Sequence, residues 1–287
     1  MVQRTGILKT FARFARWRPL AVVGLAILVC IAAVAILAPV LPLRDPGRVD
    51  MSEKLVAPSR AHWMGTDDLG RDLLSRVAYG ARVSLLVALI VVSISSLLGM
   101  GIGLVSGFLG GATDEIMMRF TDIFLAFPGL ILAMAIAVIL GPGIVPTILA
   151  LSLVWWPWYA RLARSEAIRL KGTDFIEAAR GLGVSTWRIL WRHVLPNSLS
   201  PLIVQATLDM GYAILTTAGL SFIGLGVQEP TAEWGSMINI GRKYLLTSWW
   251  FITFPGLAIF ITVLGINLAG DGLRDLMDPR TRKAETK

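Results

Sequence analysis

The sequence predicts an all-α membrane protein with six transmembrane helices, and three observations carry that expectation. Of its 287 residues, 55% are hydrophobic and only 16% charged, whereas about a quarter of a soluble domain is usually charged. The charges are also unevenly placed. Pro19 to Leu43, Val83 to Thr113, Ile123 to Ala160 and Tyr244 to Gly270 contain no Asp, Glu, Lys or Arg, and Val194 to Gln228 contains only Asp209. A helix needs roughly 20 apolar residues to cross the hydrocarbon, so each run suffices for one crossing and the third for two. Finally, the runs are continuously apolar rather than alternating, which argues against a membrane β-barrel. Soluble helical proteins rarely hold several uncharged runs of this length.

The elements follow in order. Residues 1–18 form a basic arm with Arg4, Lys9, Arg13, Arg16 and Arg18 and no acid. Ile7, Phe11 and Phe14 recur there at helical spacing, which suits a membrane surface. The apolar run that follows exceeds the roughly 7–15 residues of a cleavable signal, so a retained first span is expected within 19–42, with Pro39 and Pro42 at its exit. Residues 43–81 balance six bases against six acids. The positive-inside rule therefore places the arm in the cytoplasm and this loop outside. Within the loop, Asp67, Asp68 and Asp72 lie beside Arg71 and Arg76, which predicts local ion pairing rather than a cation site.

The core, 82–270, should hold five more spans. The second covers Ser84–Gly107, and Ser95, Gly99, Gly103, Gly107 and Gly111 recur at every fourth position. That spacing puts small residues on one helix face, where another backbone can approach closely. Gly99, Gly103 and Gly107 are thus expected at a helix contact, while Gly24, outside the repeat, should tolerate leucine better. Gly141-Pro142-Gly143 divides the next run into spans Ile123–Leu140 and Ile144–Arg161 joined by a turn. Arg161 to His193 carries seven bases and three acids, the most basic internal loop, and is expected in the cytoplasm. The fifth span is Ser198–Phe222, the outside loop 227–246, and the sixth span Trp249–Leu268. A cytoplasmic tail, 271–287, completes a chain with both termini inside.

The net charge of +8 sits in short segments beside apolar runs, where anionic membrane lipid and topology account for it; nucleic acid is not an expected partner. A single cysteine, Cys30, excludes an intrachain disulfide, and two histidines, His62 and His193, make no metal site alone. No Gly-x-x-x-x-Gly-Lys-Ser/Thr motif and no catalytic constellation is present. The chain is expected to be neither an enzyme nor a cofactor binder.

Residues 172–196 read as two short helices. Asp174 and Glu177 fit a capping box, Gly181 or Gly183 allows the turn, Ser185 can cap the second helix, and Pro196 breaks the pattern before the fifth span. Such a hairpin suits either the membrane surface or a cytoplasmic partner. Glu177-Ala178-Ala179, then Gly183, then Leu195-Pro196 resembles the coupling loop of inner-membrane permeases from ABC importers. Arg192-His193-Val194-Leu195-Pro196-Asn197, with histidine where that general pattern has isoleucine, is similar to the peptide and nickel importer subfamily. His62 to Arg71, Tyr79 to Leu85, Leu220 to Gln228 and Trp234-Gly235-Ser236-Met237 continue the match, which spans about residues 10–280.

The chain resembles the second permease of a dipeptide or oligopeptide importer, with a nickel importer permease as the alternative. The resemblance implies a type I ABC importer permease fold in a prokaryotic inner membrane. It also implies a second homologous permease, two cytoplasmic subunits that bind ATP and Mg, and an extracytoplasmic substrate-binding protein. Glu177, Ala178, Ala179, Gly183, Leu195 and Pro196 would then couple to the ATPases. Asp209 is the one ionisable residue well inside a span and, with Gln205 a turn earlier, is a candidate for the pathway or for an internal polar contact. Glu233, Trp234, Arg242 and Tyr244 are candidates for an outside gate or docking element, with Trp234 and Ile238 on one face of a short helix. A rival of another class, an ion-coupled secondary transporter, should show broken helices and inverted repeats; no internal repeat is evident.

Overall fold

The computed structural model describes residues 18–277. Of the basic arm expected at 1–18 and the tail expected at 271–287, residues 1–17 and 278–287 lie outside the described residues.

The long helices are α1 (Pro19–Leu37), α2 (Leu73–Leu109), α5 (Ile144–Lys171), α8 (Leu195–Ile223) and α10 (Trp250–Met277). Between them lie α3 (Gly111–Leu125), α4 (Gly129–Leu140), the short pair α6 (Asp174–Gly181) and α7 (Thr186–Ile189), and α9 (Trp234–Gly241). By length and apolarity, four described helices can cross a membrane: α1, α2, the continuous helix Thr186–Ile223, and α10. The bent pair α3 and α4 passes the same test only when taken together, for up to five spans. The protein is therefore an all-α, multi-span membrane protein. Helix α5 is 28 residues long, but three tryptophans in its middle and a charged last third make it less apolar.

Several boundaries differ from those expected, among them the end of α10, which runs past Leu268 to Met277. Helix α2 begins at Leu73 inside the expected loop, because Asp72 caps it there by accepting from the Ser75 amide at 2.9 Å. The expected span Ile123–Leu140 is not one helix: α3 and α4 meet at an 84° bend. Pro128 has no N–H and disfavours helical backbone in Phe127 before it; its carbonyl then accepts the first bond of α4, from Leu132 at 3.0 Å. Helix α5 continues past Arg161 to Lys171. Helix α8 begins at Leu195 rather than Ser198. The turn at Gly141-Pro142-Gly143 stands as expected, with φ of 84° at Gly141 and 147° at Gly143.

Helices α2 and α5 pack in parallel through the glycine face. A Cβ at Gly99 would lie 2.3 Å from the Trp156 carbonyl oxygen, at Gly103 2.1 Å from that of Ala160, and at Gly107 2.5 Å from that of Arg164. Backbone touches backbone at all three, as the spacing predicts. Because the partner residues advance with the glycines, the helices run the same way, and α3 and α4 return the chain between them. Asp114 of α3 receives both Arg164 Nε and Nη2 at 2.6 Å, and Asp122 receives Arg161 Nη2 at 2.7 Å.

Helix α1 lies at the periphery, antiparallel to α10. Its Gly24 is also confined, since a Cβ there would sit 2.8 Å from the Gly265 carbonyl oxygen and 2.7 Å from the Ala269 nitrogen, a wider clearance than at the three repeat glycines. A single glycine at a helix crossing thus makes a contact without any repeat. Gly101 points into open space.

Leucine at Gly103 should therefore lower the thermal midpoint and the yield of monodisperse protein in detergent, since overpacking against backbone costs about 1–3 kcal/mol or more. Gly24→Leu should do likewise, and Gly101→Leu should behave as wild type. Size-exclusion chromatography after a heating series reads the difference.

Candidate functional site

Three regions gather the residues of interest. At one end of the bundle, α5 gives way to α6 and α7. The N-terminal flank of α6 is Thr173 rather than Asp174, and its hydroxyl donates to the Leu170 carbonyl at 2.6 Å instead of capping. Asp174 and Glu177 occupy the first turn, where carboxylates meet the positive end of the helix dipole. The turn residue is Gly183, with φ of 75°. Its amide bonds the Arg180 carbonyl at 2.9 Å and the Val184 amide bonds the Ala179 carbonyl at 3.1 Å, the paired bonds of a Schellman ending.

Ser185 flanks α7 without a side-chain cap. Pro196 does not interrupt the chain as expected. A π-helical turn, Leu190–Val194, carries α7 into α8, and Pro196 falls in the first turn of α8, where a missing N–H is tolerated.

Ile176, Ile189, Leu190 and Val194 are buried against Leu104, Phe108 and Leu170. Arg180 lies 5.1 Å over the Phe108 ring. The opposite face is open: Glu177, Ala178, Gly183 and Pro196 are exposed, Ala179 and Leu195 partly so. Phe175, Trp187 and Trp191 are exposed beside them, and Leu182 is 84% exposed. Such a patch on an anchored hairpin is the mark of an interaction site.

The second region is a cavity of about 390 Å³ bounded by α5, α8 and the α3–α4 bend. Gln205, Asp209, Tyr212 and Thr216 line it from α8, a spacing of four, three and four that keeps them on one face. Gln205 Nε2 donates to Asp209 Oδ1 at 2.9 Å. From α5 come Trp155 and Tyr159, and Trp155 stacks on Tyr212 with centroids 5.1 Å apart. The sequence pointed to Asp209 and Gln205; Tyr212 and Thr216 were visible as the continuation of that face, whereas the α5 aromatics come from another helix and had no local signal.

The third region lies at the other end. Arg71 Nε donates to Asp67 at 2.6 Å and its Nη2 to Glu229 at 2.5 Å, and Arg76 Nη2 donates to Glu229 at 3.1 Å. These ion pairs tie the segment before α2 to the segment before α9, with Asp67, Arg71 and Arg76 buried. The expected local pairing is present, extended by a distant partner, Glu229. Among the described residues, no group of three His, Cys, Asp or Glu side chains is placed to hold a metal ion.

Glu233 and Trp234 are not surface handles. Glu233 is 1% exposed and caps α9 by accepting from the Gly235 and Ser236 amides, both at 2.8 Å. Burial pushes its carboxyl above the usual range against the pull of those amides. Trp234 Nε1 donates to the Val77 carbonyl at 3.0 Å. Ile238 is half-buried behind it, as the short-helix reading expected. Arg242 is exposed and covers the Phe222 ring at 5.2 Å, and Tyr244 stacks on Phe251.

A bundle of apolar helices, a largely aromatic cavity with one polar face along α8, and an anchored, exposed hairpin at one end are the parts expected of a membrane transport subunit. The comparisons specify which. Residues 99–283 match the family model described as "Binding-protein-dependent transport system inner membrane component", and residues 9–58 match "N-terminal TM domain of oligopeptide transport permease C". The chain is 48% identical over 262 residues to the probable D,D-dipeptide transport system permease protein DdpC of Escherichia coli, covering 91% of this chain and 88% of that one. It is 45% identical to the di/tripeptide transport system permease protein DppC of Pseudomonas aeruginosa, with the same coverage. A chain of the inward-facing MetNI methionine ABC transporter shares the fold, with a TM-score of 0.58 and 19% identity over 71% of this chain and 96% of that chain. The chain belongs to the family of binding-protein-dependent inner-membrane transport components, the permeases of ABC importers. That membership sets aside the ion-coupled alternative.

The buried ion-pair cluster generates a pH prediction. Burial first, then the neighbouring carboxylates of Asp67 and Glu229, raise the Asp68 carboxyl above its ordinary value. A folded-state pKa above the unfolded one means that stability falls as pH rises through that interval. Asp68→Asn should thus raise the thermal midpoint at neutral pH, and the difference should shrink toward zero as acid protonates Asp68 in the wild type. Thermal unfolding of the detergent-solubilised protein across a pH series checks both sign and window.

Proposed function

We propose that this chain is one of two permease subunits in an ATP-driven importer of dipeptides or short oligopeptides. The relatives named above carry dipeptide and tripeptide transport in their names, which favours peptides over nickel. The partners are a second homologous permease, two cytoplasmic ATPases that bind ATP and Mg, and an extracytoplasmic binding protein.

In this reading the chain crosses six times, with α5 and the bent pair included and both termini in the cytoplasm. The charge map supports it, as does the parallel course of α2 and α5, which needs one return crossing between them. The domain ranges then follow, with the α2 start moved to Leu73.

The observation that carries the proposal is the hairpin of α6 and α7. Its buried face is locked to α2, α5 and α8, so force applied to its open face moves the helices that line the cavity. Glu177, Ala178, Ala179 and Gly183 form the ATPase contact, and Leu195-Pro196 joins it to α8. Gln205 and Asp209 line the pathway. At the opposite end, Arg242 and Tyr244 serve docking or gating, while Glu233 and Trp234 hold the loop in shape.

Glu177→Lys reverses a charge on that open face, and Gly183→Trp forces a side chain into left-handed backbone. Each should lower peptide uptake by about tenfold or more, within the range of inter-site coupling, while ATP hydrolysis continues and the complex assembles. Proteoliposome uptake measured beside ATPase rate separates uncoupling from misfolding. Crosslinking from residue 182 that never captures an ATPase in an active complex overturns the assignment.

A further inference from the structure

The cavity wall formed by α8 is chemically unlike the rest of the spans. Asp209 sits midway along the helix, half-buried, with Gln205 donating to one carboxylate oxygen at 2.9 Å. Tyr159 lines the same cavity from α5. A second cavity, of about 360 Å³, adjoins Asp209 and reaches Arg161, but that guanidinium is held by Asp122 at 2.7 Å. Among the described residues, no Lys or Arg forms an ion pair with Asp209. A carboxylate inside a membrane bundle is costly and calls for a cation or water.

The surroundings favour a cation of a particular kind. Trp155, Trp158, Tyr159 and Tyr212 line the cavity with Asp209, and aromatic faces attract ammonium groups, about 0.5–2 kcal/mol each. A volume of about 390 Å³ falls in the small-molecule range of about 300–1,000 Å³, too large for a bare metal ion alone. Hydrogen-bonding groups continue along the same face at Tyr212 and Thr216.

We propose that this cavity is a transit site for the α-ammonium group of a peptide. Asp209 supplies the opposing charge, Gln205 orients the carboxylate, and the aromatic side chains enclose the cation. That the cation belongs to a peptide rests on the permease reading above; the preference for a primary ammonium over its acylated form does not. The site gives the permease a selectivity of its own, for a free amino terminus, acting after delivery by the binding protein.

The test uses the complex of both permeases and their ATPases without the binding protein, so that the binding protein's own preference is absent. Thr216→Cys in a Cys30→Ser background places one thiol in the cavity, and its maleimide labelling rate is the readout. Alaninamide should slow labelling, and N-acetylalaninamide at the same concentrations should not. Asp209→Asn should raise the alaninamide concentration for half protection at least about tenfold, equivalent to about 1.4 kcal/mol, and Asp209→Glu should restore most of it. Equal protection by the two amides overturns the proposal. So does protection unchanged in Asp209→Asn, the outcome expected if a cation of the second permease already pairs with the carboxylate, and so does a thiol that never labels in any nucleotide state. Dipeptide uptake by the unmodified complex with its binding protein tests the other reading separately. Uptake without amine-selective protection removes only the transit site, and selective protection without uptake removes the peptide-importer assignment.

Discussion

The close approach of α2 to α5 is the contact from which the rest of the structure is built. Three glycines let the backbone of one helix rest on carbonyl oxygens of the other, where any Cβ would come within 2.1–2.5 Å. Hydrocarbon offers no hydrophobic drive for helices to associate, so dispersion across such close contacts must supply much of it. The parallel register follows from this contact, and with it the position of everything attached to α5. Trp155 and Tyr159 are turned toward α8, and the end of α5 is delivered to the hairpin of α6 and α7. The same end receives Phe108 from α2, on which Arg180 rests.

Parallel neighbours separated by so short a stretch of sequence require an intervening return, and α3 and α4 supply it with a bend. Pro128 breaks the helix there, and the 84° turn leaves Phe124, Phe127 and Leu130 as one wall of the cavity that Asp209 lines. The charged face of α3 is held to α5 through Asp114–Arg164 and Asp122–Arg161. Closure of the cavity and support for α5 thus come from one broken element.

The two ends of the bundle solve different problems. Around Arg71 and Glu229 the polar groups turn inward: guanidinium and carboxylate pairs, the Glu233 cap and the Trp234 indole are consumed in holding two loops together. Buried pairs of this kind contribute little net stability because desolvation offsets the attraction, but they fix geometry. At the hairpin of α6 and α7 the arrangement is reversed. Aliphatic residues anchor the element, and aromatic, acidic and glycine positions remain on the outside. One end is thus fixed by buried polar contacts and the other keeps an open face.

Much of this was legible in the chain itself. The charge-free runs required membrane helices, because an unpaired charge in hydrocarbon is too costly to place by accident. The four-residue glycine spacing required a close helix contact, and Gly141-Pro142-Gly143 a turn. The pattern around Glu177 and Gly183 pointed to a hairpin with Gly181 or Gly183 at its turn, and the left-handed backbone falls at Gly183. What the sequence by itself determined was therefore local or periodic. It left open which helix meets the glycines, and it gave no sign of the contact at Gly24, whose confinement comes from Gly265 and Ala269 some 240 residues away. Glu233 read as a surface handle because a carboxylate in a polar loop usually is one; its two capping amides are local, at Gly235 and Ser236, but only the fold buries it and brings Ser84 to it. Asp209 was conspicuous from composition alone, but the aromatic wall that gives it a partner chemistry belongs to α5, and only tertiary packing brings the two helices together.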